Sequence, residues 1–176
     1  MLLLIPIGLL LFGSLAVYVL FKIRPKYGTS WLNAAVGSAL AWLTLFYMRL
    51  RLPTTLNLLS WEKPSGILWG DFSLILDYNS WPYSLALTTI TLAVILTDAA
   101  RTRFDSTPKS WSASLAITAL GLIAIQSGTG VMLLISWVIS DLLELIYLLG
   151  SEETTASTRR VIIFKRSKSL HSSLRR

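Results

Sequence analysis

Two carboxylates lie inside an apolar stretch of this chain that is long enough to cross a bilayer. Residues 130–149, GVMLLISWVISDLLELIYLL, contain Asp141 and Glu144. In a helix, a separation of three residues places the two acids on one side, and Ser136 and Ser140 lie on the stripe of Glu144. Ionisable groups within a membrane span are costly and mark proton or cation paths by default. The two acids are therefore candidate proton-transfer residues, and the two serines are candidates to support them.

A second interpretation gives these acids no transport role. Glu144 precedes Gly150 by six residues, which is only about 9 Å along a helix, so a tilted helix would bring it to the headgroups. Asp141 lies about one turn deeper and is the stronger candidate.

The composition predicts an integral membrane protein. The sequence has 176 residues, of which 53% are hydrophobic and 14% charged, whereas soluble domains have about 25% charged residues. It lacks cysteine and has a single histidine, His171, which excludes disulfides, thiolate-bound clusters and paired histidine ligands to a buried haem. Because metal-ligand clusters, phosphate-binding loops and nucleophile-base pairs are also missing from its motifs, we expect no catalytic residues, metal or cofactor on this chain.

Five apolar stretches predict an all-α fold with about five transmembrane helices within residues 1–150. An excursion at residues 49–80 is rich in charges and prolines and leaves the membrane. Within it, partial alternation at residues 67–76 predicts a short surface hairpin, with a surface helix as the alternative. The predicted spans are residues 2–21, 31–48, 81–97, 111–125 and 131–149.

The distribution of Lys and Arg predicts the topology. The 21–30 turn, the 98–110 loop and the 151–176 tail are positive, which places the N-terminus outside and the tail in the cytoplasm. Cations follow the first span instead of preceding it, which favours a retained helix over a cleaved signal peptide. Of the net charge of +7, the tail carries +5, so its expected partners are anionic lipid headgroups and not nucleic acid. Its low complexity is typical of a disordered or lipid-contacting segment.

Polar and aromatic residues near the span ends have structural interpretations. Asp77 and Ser80 precede the third span at the spacing of an external helix cap. Asp98 is expected to pair with Arg101 at the end of that span. Five tryptophans near predicted boundaries are typical of an interfacial belt; they are Trp31, Trp61, Trp69, Trp81 and Trp111.

The order of these segments resembles the N-terminal third of the antiporter-like membrane subunits of respiratory complex I and of Mrp-type sodium/proton antiporters. Two helices lead to an excursion that ends in LILDYNSW, with Asp77 and Ser80, and the fifth helix carries a Trp-centred motif, LLISWVISDLLELIYLLG. In that family a proton-transferring glutamate directly follows this Trp. Here Val138 follows Trp137, and Asp141 lies one turn beyond it.

The resemblance implies a subunit or split fragment of a complex I-like, proton-translocating NADH-quinone oxidoreductase. Its implied partners are other membrane subunits of a complex I-like or antiporter assembly, and its implied location is the cell membrane of a bacterial or archaeal-type cell. The alternative function is a structural subunit that anchors a partner and transports nothing.

Overall fold

Five membrane-spanning helices dominate the chain, as the sequence predicts. The computed structural model describes residues 2–23, 27–59, 72–100 and 108–149. Within these residues, five helices are long and apolar enough to cross a membrane. They are α1 (Leu4–Ile23), α2 (Tyr27–Met48), α3 (Ser80–Ala100), α4 (Pro108–Ile125) and α5 (Gly130–Leu149). The basic tail lies outside the described residues, as do Trp61, Trp69 and Arg101.

Residue contacts divide the chain into two units, Met1–Asp141 and Leu142–Arg176. The first unit contains α1 to α4, two strands and α5 as far as Asp141. The described part of the second unit is the remainder of α5.

Two helices begin three or four residues before the predicted spans because polar residues form their first turns. Helix α2 begins at Tyr27, although the charged and glycine-containing segment before Trp31 predicts a turn. Helix α4 begins at Pro108, and proline is favourable at a first helical position because the N–H that it lacks would have no partner there.

Helices α1 to α4 form an antiparallel bundle in which α1 and α3 each pack against α2 and α4, and α2 also contacts α4. Helices α1 and α2 approach closely where glycines face each other: a Cβ added at Gly37 would lie 3.6 Å from the Cα of Gly13. Small residues allow this close approach in membranes, where packing replaces the hydrophobic effect as the driving force. The core includes Leu10, Val17 and Leu115.

Tryptophan side chains connect α2 to α3 along most of their length. Three indole N–H groups each donate a hydrogen bond of 2.8 Å to the other helix of the pair. A side-chain hydrogen bond between two transmembrane helices contributes about 0.6 kcal/mol to stability. The donors and acceptors are Trp31 to the carbonyl oxygen of Ile95, Trp42 to Oγ1 of Thr89, and Trp81 to the carbonyl oxygen of Leu45.

Hydroxyl pairs connect α4 to α3 and to α1. The Oγ1 atoms of Thr91 and Thr118 lie 2.8 Å apart between α3 and α4. Between α1 and α4, Ser14 Oγ donates to the carbonyl oxygen of Ser112 at 2.8 Å, and Ser112 Oγ donates back to the carbonyl oxygen of Ser14 at 3.0 Å. These bonds satisfy polar groups that the hydrocarbon of a bilayer could not solvate.

A two-stranded antiparallel sheet follows α2 and a short 3-10 helix at Arg49–Arg51. Its strands are β1 (Thr54–Leu59) and β2 (Phe72–Leu76). The strand β2 lies in the segment for which the sequence predicts a hairpin, so the surface-helix alternative is wrong for these residues. It pairs with β1, and Leu74 and Leu76 are buried in the core; residues 67–71 of the predicted hairpin lie outside the described residues.

The turn between α4 and α5 is joined to β2 by backbone hydrogen bonds. The N–H of Ile75 donates to the carbonyl oxygen of Gln126 at 2.7 Å, and the N–H of Gly128 donates to the carbonyl oxygen of Ser73 at 2.8 Å. The turn therefore extends the sheet by one bridge. We call this the hairpin end of the bundle, where α2 and α4 end and α3 and α5 begin.

Gly128 packs tightly against side chains of β2, which predicts a difference between two glycines of the turn. A Cβ at residue 128 would collide with Ser73 Oγ and lie 2.9 Å from Ile75 Cδ1, whereas a Cβ at Gly130 meets nothing within 4 Å. Gly128→Ala should lower the free energy of unfolding by about 1–3 kcal/mol, and Gly130→Ala should not lower it. Thermal unfolding of both variants in lipid nanodiscs measures this, and equal melting temperatures would contradict the junction.

Candidate functional site

The turn and the core together position the first part of α5. The N–H of Leu133 donates to the carbonyl oxygen of Thr129 at 3.2 Å, which begins the helical hydrogen bonding. Met132 packs against the core of the bundle, and Ser136, one turn on, is only 2% exposed. The side of α5 that carries Met132 and Ser136 therefore faces the bundle. This determines the direction, about the helix axis, in which the later side chains of α5 up to Asp141 point.

Asp141 lies on another side of the helix. Five residues of α-helix rotate the chain by about 500°, so Asp141 is about 140° round from Ser136. Asp141 is exposed, as is Trp137 one turn before it, at 62%. The carboxylate and the indole thus share a surface that α1 to α4 leave uncovered.

The two serines predicted to support the acids differ in burial. Ser136 Oγ donates to the carbonyl oxygen of Leu133 at 2.8 Å, within its own helix. Ser140 is half-buried. Among the described residues, no ion pair joins Asp141 to a lysine or arginine. Glu144, in the second unit, is also exposed.

The chemistry available at this surface is proton exchange by a carboxyl group. Asp141 lies eleven residues after Gly130, about 16 Å along a helix, which is close to the middle of a hydrocarbon core of about 30 Å. A carboxylate at that depth is costly, and such groups almost always pair with another group or face a water-filled cavity.

Asp77 and Ser80 form a reciprocal cap at the start of α3. Asp77 Oδ1 accepts from the N–H groups of Ser80 at 2.6 Å and Asn79 at 3.1 Å, and Ser80 Oγ accepts from the N–H of Asp77 at 2.9 Å. This is a capping box with serine in the place of the usual glutamate. The hydrogen bonds from Ser80 are the main reason that the pKa of Asp77 lies below its ordinary value.

Asp98 has a partner that sequence reasoning missed. Its Oδ2 accepts from Nε1 of Trp111 at 3.0 Å. Trp111 is 1% exposed, so it is a core residue and not a member of an interfacial belt. The sequence contains a basis for this pair, since a buried indole N–H needs an acceptor and Asp98 is the acid just before the connection to α4. The pair expected between Asp98 and Arg101 involves a residue outside the described ones.

Comparison with known proteins supports the fold. No protein family model matches the chain, and no curated protein sequence matches it significantly. In structure, the chain is similar to a chain of the membrane-bound sulfane sulfur reductase (MBS), an archaeal respiratory membrane complex, with a TM-score of 0.64 and 22% sequence identity. The match covers 81% of this chain and 22% of that one, so this chain spans about a fifth of the matched chain's length. The five helices and this neighbour together support an integral membrane protein.

The capping box predicts an acid-dependent loss of stability. Because the pKa of Asp77 is lowered in the folded state, its stabilisation is present above the unfolded-state pKa and is lost as pH falls through the folded-state pKa. Asn at this position still accepts the capping hydrogen bonds but does not titrate. The melting temperature should therefore fall more between pH 6 and about pH 3 in the wild type than in Asp77→Asn.

Asp77→Ala provides the control for this measurement, because it has no acceptor and should be destabilised at both pH values. Identical acid dependence in the wild type and Asp77→Asn would show that other groups control the acid transition.

Proposed function

We propose that this chain is a membrane subunit, or part of one, of a complex I-like respiratory assembly, and that Asp141 belongs to a proton path completed by a partner chain. The observation that carries the proposal is the carboxylate of Asp141 on the uncovered side of an apolar helix. The fold shared with a chain of an archaeal respiratory membrane complex supports the kind of assembly.

The free-energy cost of placing the Asp141 carboxylate in the membrane supports the presence of a partner chain. An aspartate at the centre of a transmembrane helix costs about 2.5–3.5 kcal/mol on insertion scales, and packing against lipid returns none of it. A partner helix with a lysine, arginine or histidine at this depth removes that cost. It also supplies the second group that proton exchange requires.

The motif order supports proton transfer over other roles for the same carboxylate. In the antiporter-like family that the sequence resembles, an acid on the fifth helix acts in proton transfer, and here Asp141 is displaced from Trp137 by one turn. Glu144 follows three residues later and is the second candidate to carry a proton. On this proposal the N-terminus is outside, and the basic tail contacts anionic headgroups in the cytoplasm of a bacterial or archaeal-type cell.

An anchoring subunit is the second candidate function. The side of α5 that carries Asp141 also exposes large apolar side chains, namely Leu134 at 61%, Trp137 at 62% and Val138 at 57%. Such a surface can bind a partner helix by packing alone, with Asp141 serving only to pair with the partner's cation.

Substitution of Asp141 in the assembled membrane complex separates the two functions. With Asp141→Asn, we expect proton pumping to fall by about tenfold or more while the subunits remain assembled. Asp141→Glu should retain part of the pumping, since it keeps a carboxyl group. Glu144→Gln tests the second acid in the same way, and Asp77→Asn, the same acid-to-amide change at the cap of α3, is the matched control with no expected loss.

The readouts are proton uptake by inverted vesicles and the subunit content of the complex purified through a tag on this chain. Unchanged pumping in Asp141→Asn excludes the proton path. Loss of assembly in Asp141→Asn, with rescue by Asp141→Glu, assigns the anchoring function instead.

A further inference from the structure

The core at the hairpin end contains polar atoms that have no partner among the described residues. Gln126 is 0% exposed, and both Nε2 and Oε1 of its side chain lack a hydrogen bond. Ser84 is likewise 0% exposed, and its Oγ lacks a partner. Buried side-chain polar atoms are hydrogen-bonded in the large majority of cases, to protein or to ordered water. These two residues therefore require a ligand that donates and accepts.

Helix register places Gln126 and Ser84 at the same level of the bundle. Thr91 contacts Thr118 across the α3–α4 interface, and a Cβ at Gly121 would lie 2.8 Å from Leu87 Cδ2. Because the two helices run antiparallel, residues that precede Leu87 in α3 lie level with residues that follow Gly121 in α4. Ser84 is therefore level with the last turn of α4, directly before Gln126.

The surroundings of this level exclude lipid headgroups and bulk water as the partners. The buried apolar side chains at the hairpin end come from the first residues of the chain, the end of α2 and the strand β2. They are Leu3, Leu45, Met48, Leu74 and Leu76, each no more than 3% exposed. Gln126 is itself 0% exposed, and its backbone carbonyl oxygen is bonded to Ile75 of β2, so the amide is enclosed at the level of the strand.

We propose that Gln126 and Ser84 form an internal water site beneath the strand β2. A buried water makes about three hydrogen bonds, which matches the two amide atoms of Gln126 and the hydroxyl of Ser84. The water accepts from Nε2, donates to Oε1 and exchanges a hydrogen bond with Oγ. The site lies in the first unit and does not involve Asp141, so it stands or falls independently of the proposed proton path.

The sequence offers a single-site probe of this water. Gln126 is the only glutamine among the 176 residues, so protein labelled with side-chain ¹⁵N glutamine gives one amide signal. In deuterated-lipid nanodiscs, water-edited solid-state NMR should transfer magnetisation from water protons to this amide within the short mixing times that hydrated groups show. A resolved amide signal that receives no transfer from water overturns the proposal.

Two serine variants test whether Ser84 shares the site. Ser84→Ala removes the unpartnered hydroxyl and should reduce the water transfer to the Gln126 amide by about half, since one of about three hydrogen bonds and the order of the water are lost. Ser38→Ala is the matched control: Ser38 is also buried, at 1%, but its Oγ already donates to the carbonyl oxygen of Ala35. Equal transfer in Ser84→Ala and Ser38→Ala overturns the shared site.

Melting temperature gives a second readout that does not depend on the NMR signal. Gln126→Met is close in volume and removes both polar atoms. If a buried water makes the hydrogen bonds of the Gln126 amide, Gln126→Met removes two of the partners of that water, and the melting temperature falls. A melting temperature above that of the wild type shows that the amide was unpaired and overturns the water site.

Discussion

Hydrocarbon cannot hydrogen-bond, and this constraint determines how the helices of this protein hold together. The α2–α3 pair meets it with tryptophan, whose ring adds apolar packing area while its N–H reaches the neighbouring helix. Trp31 and Trp81 act from opposite ends of the pair, and Trp42 acts between them. The α3–α4 and α1–α4 contacts meet it with hydroxyls, as in the Thr91–Thr118 pair. Each of these three interfaces therefore combines packing with a polar bond that the bilayer cannot replace.

The hairpin end concentrates the structural and the functional features of the molecule. The capping box of Asp77 starts α3 there, and the bond from Gly128 to Ser73 sets where α5 starts. At the same end, Leu74, Leu76 and Gln126 are each no more than 1% exposed. A small sheet that is marginal by itself is thus stabilised by the helices beneath it, and in return it aligns two of them.

Sequence patterns predict the helices well because a bilayer demands about twenty apolar residues for each span. They predict less of the sheet: β2 is visible as weak alternation, whereas TTLNLL in β1 alternates poorly and pairs with a segment across a long connection. The sequence shows that Asp141 lies within an apolar helix, but it does not show which side of the helix bundle its carboxylate faces. That direction depends on the rotation of α5, which backbone bonds to Ser73 and Ile75 set from outside the helix. Trp111 shows the same limit, since its burial depends on packing that its position near a boundary does not reveal.

The described contacts that hold α5 lie near its N-terminal end. Its described fixed points are the turn bonded to β2 and the contacts of Met132 and Ser136, whereas Asp141 lies about 16 Å along the helix from Gly130. A tilt of about 5° about the turn displaces the carboxylate by roughly 1.4 Å, half the length of a hydrogen bond. A small tilt of α5 at the turn therefore displaces the carboxylate of Asp141 further than it displaces Ser136.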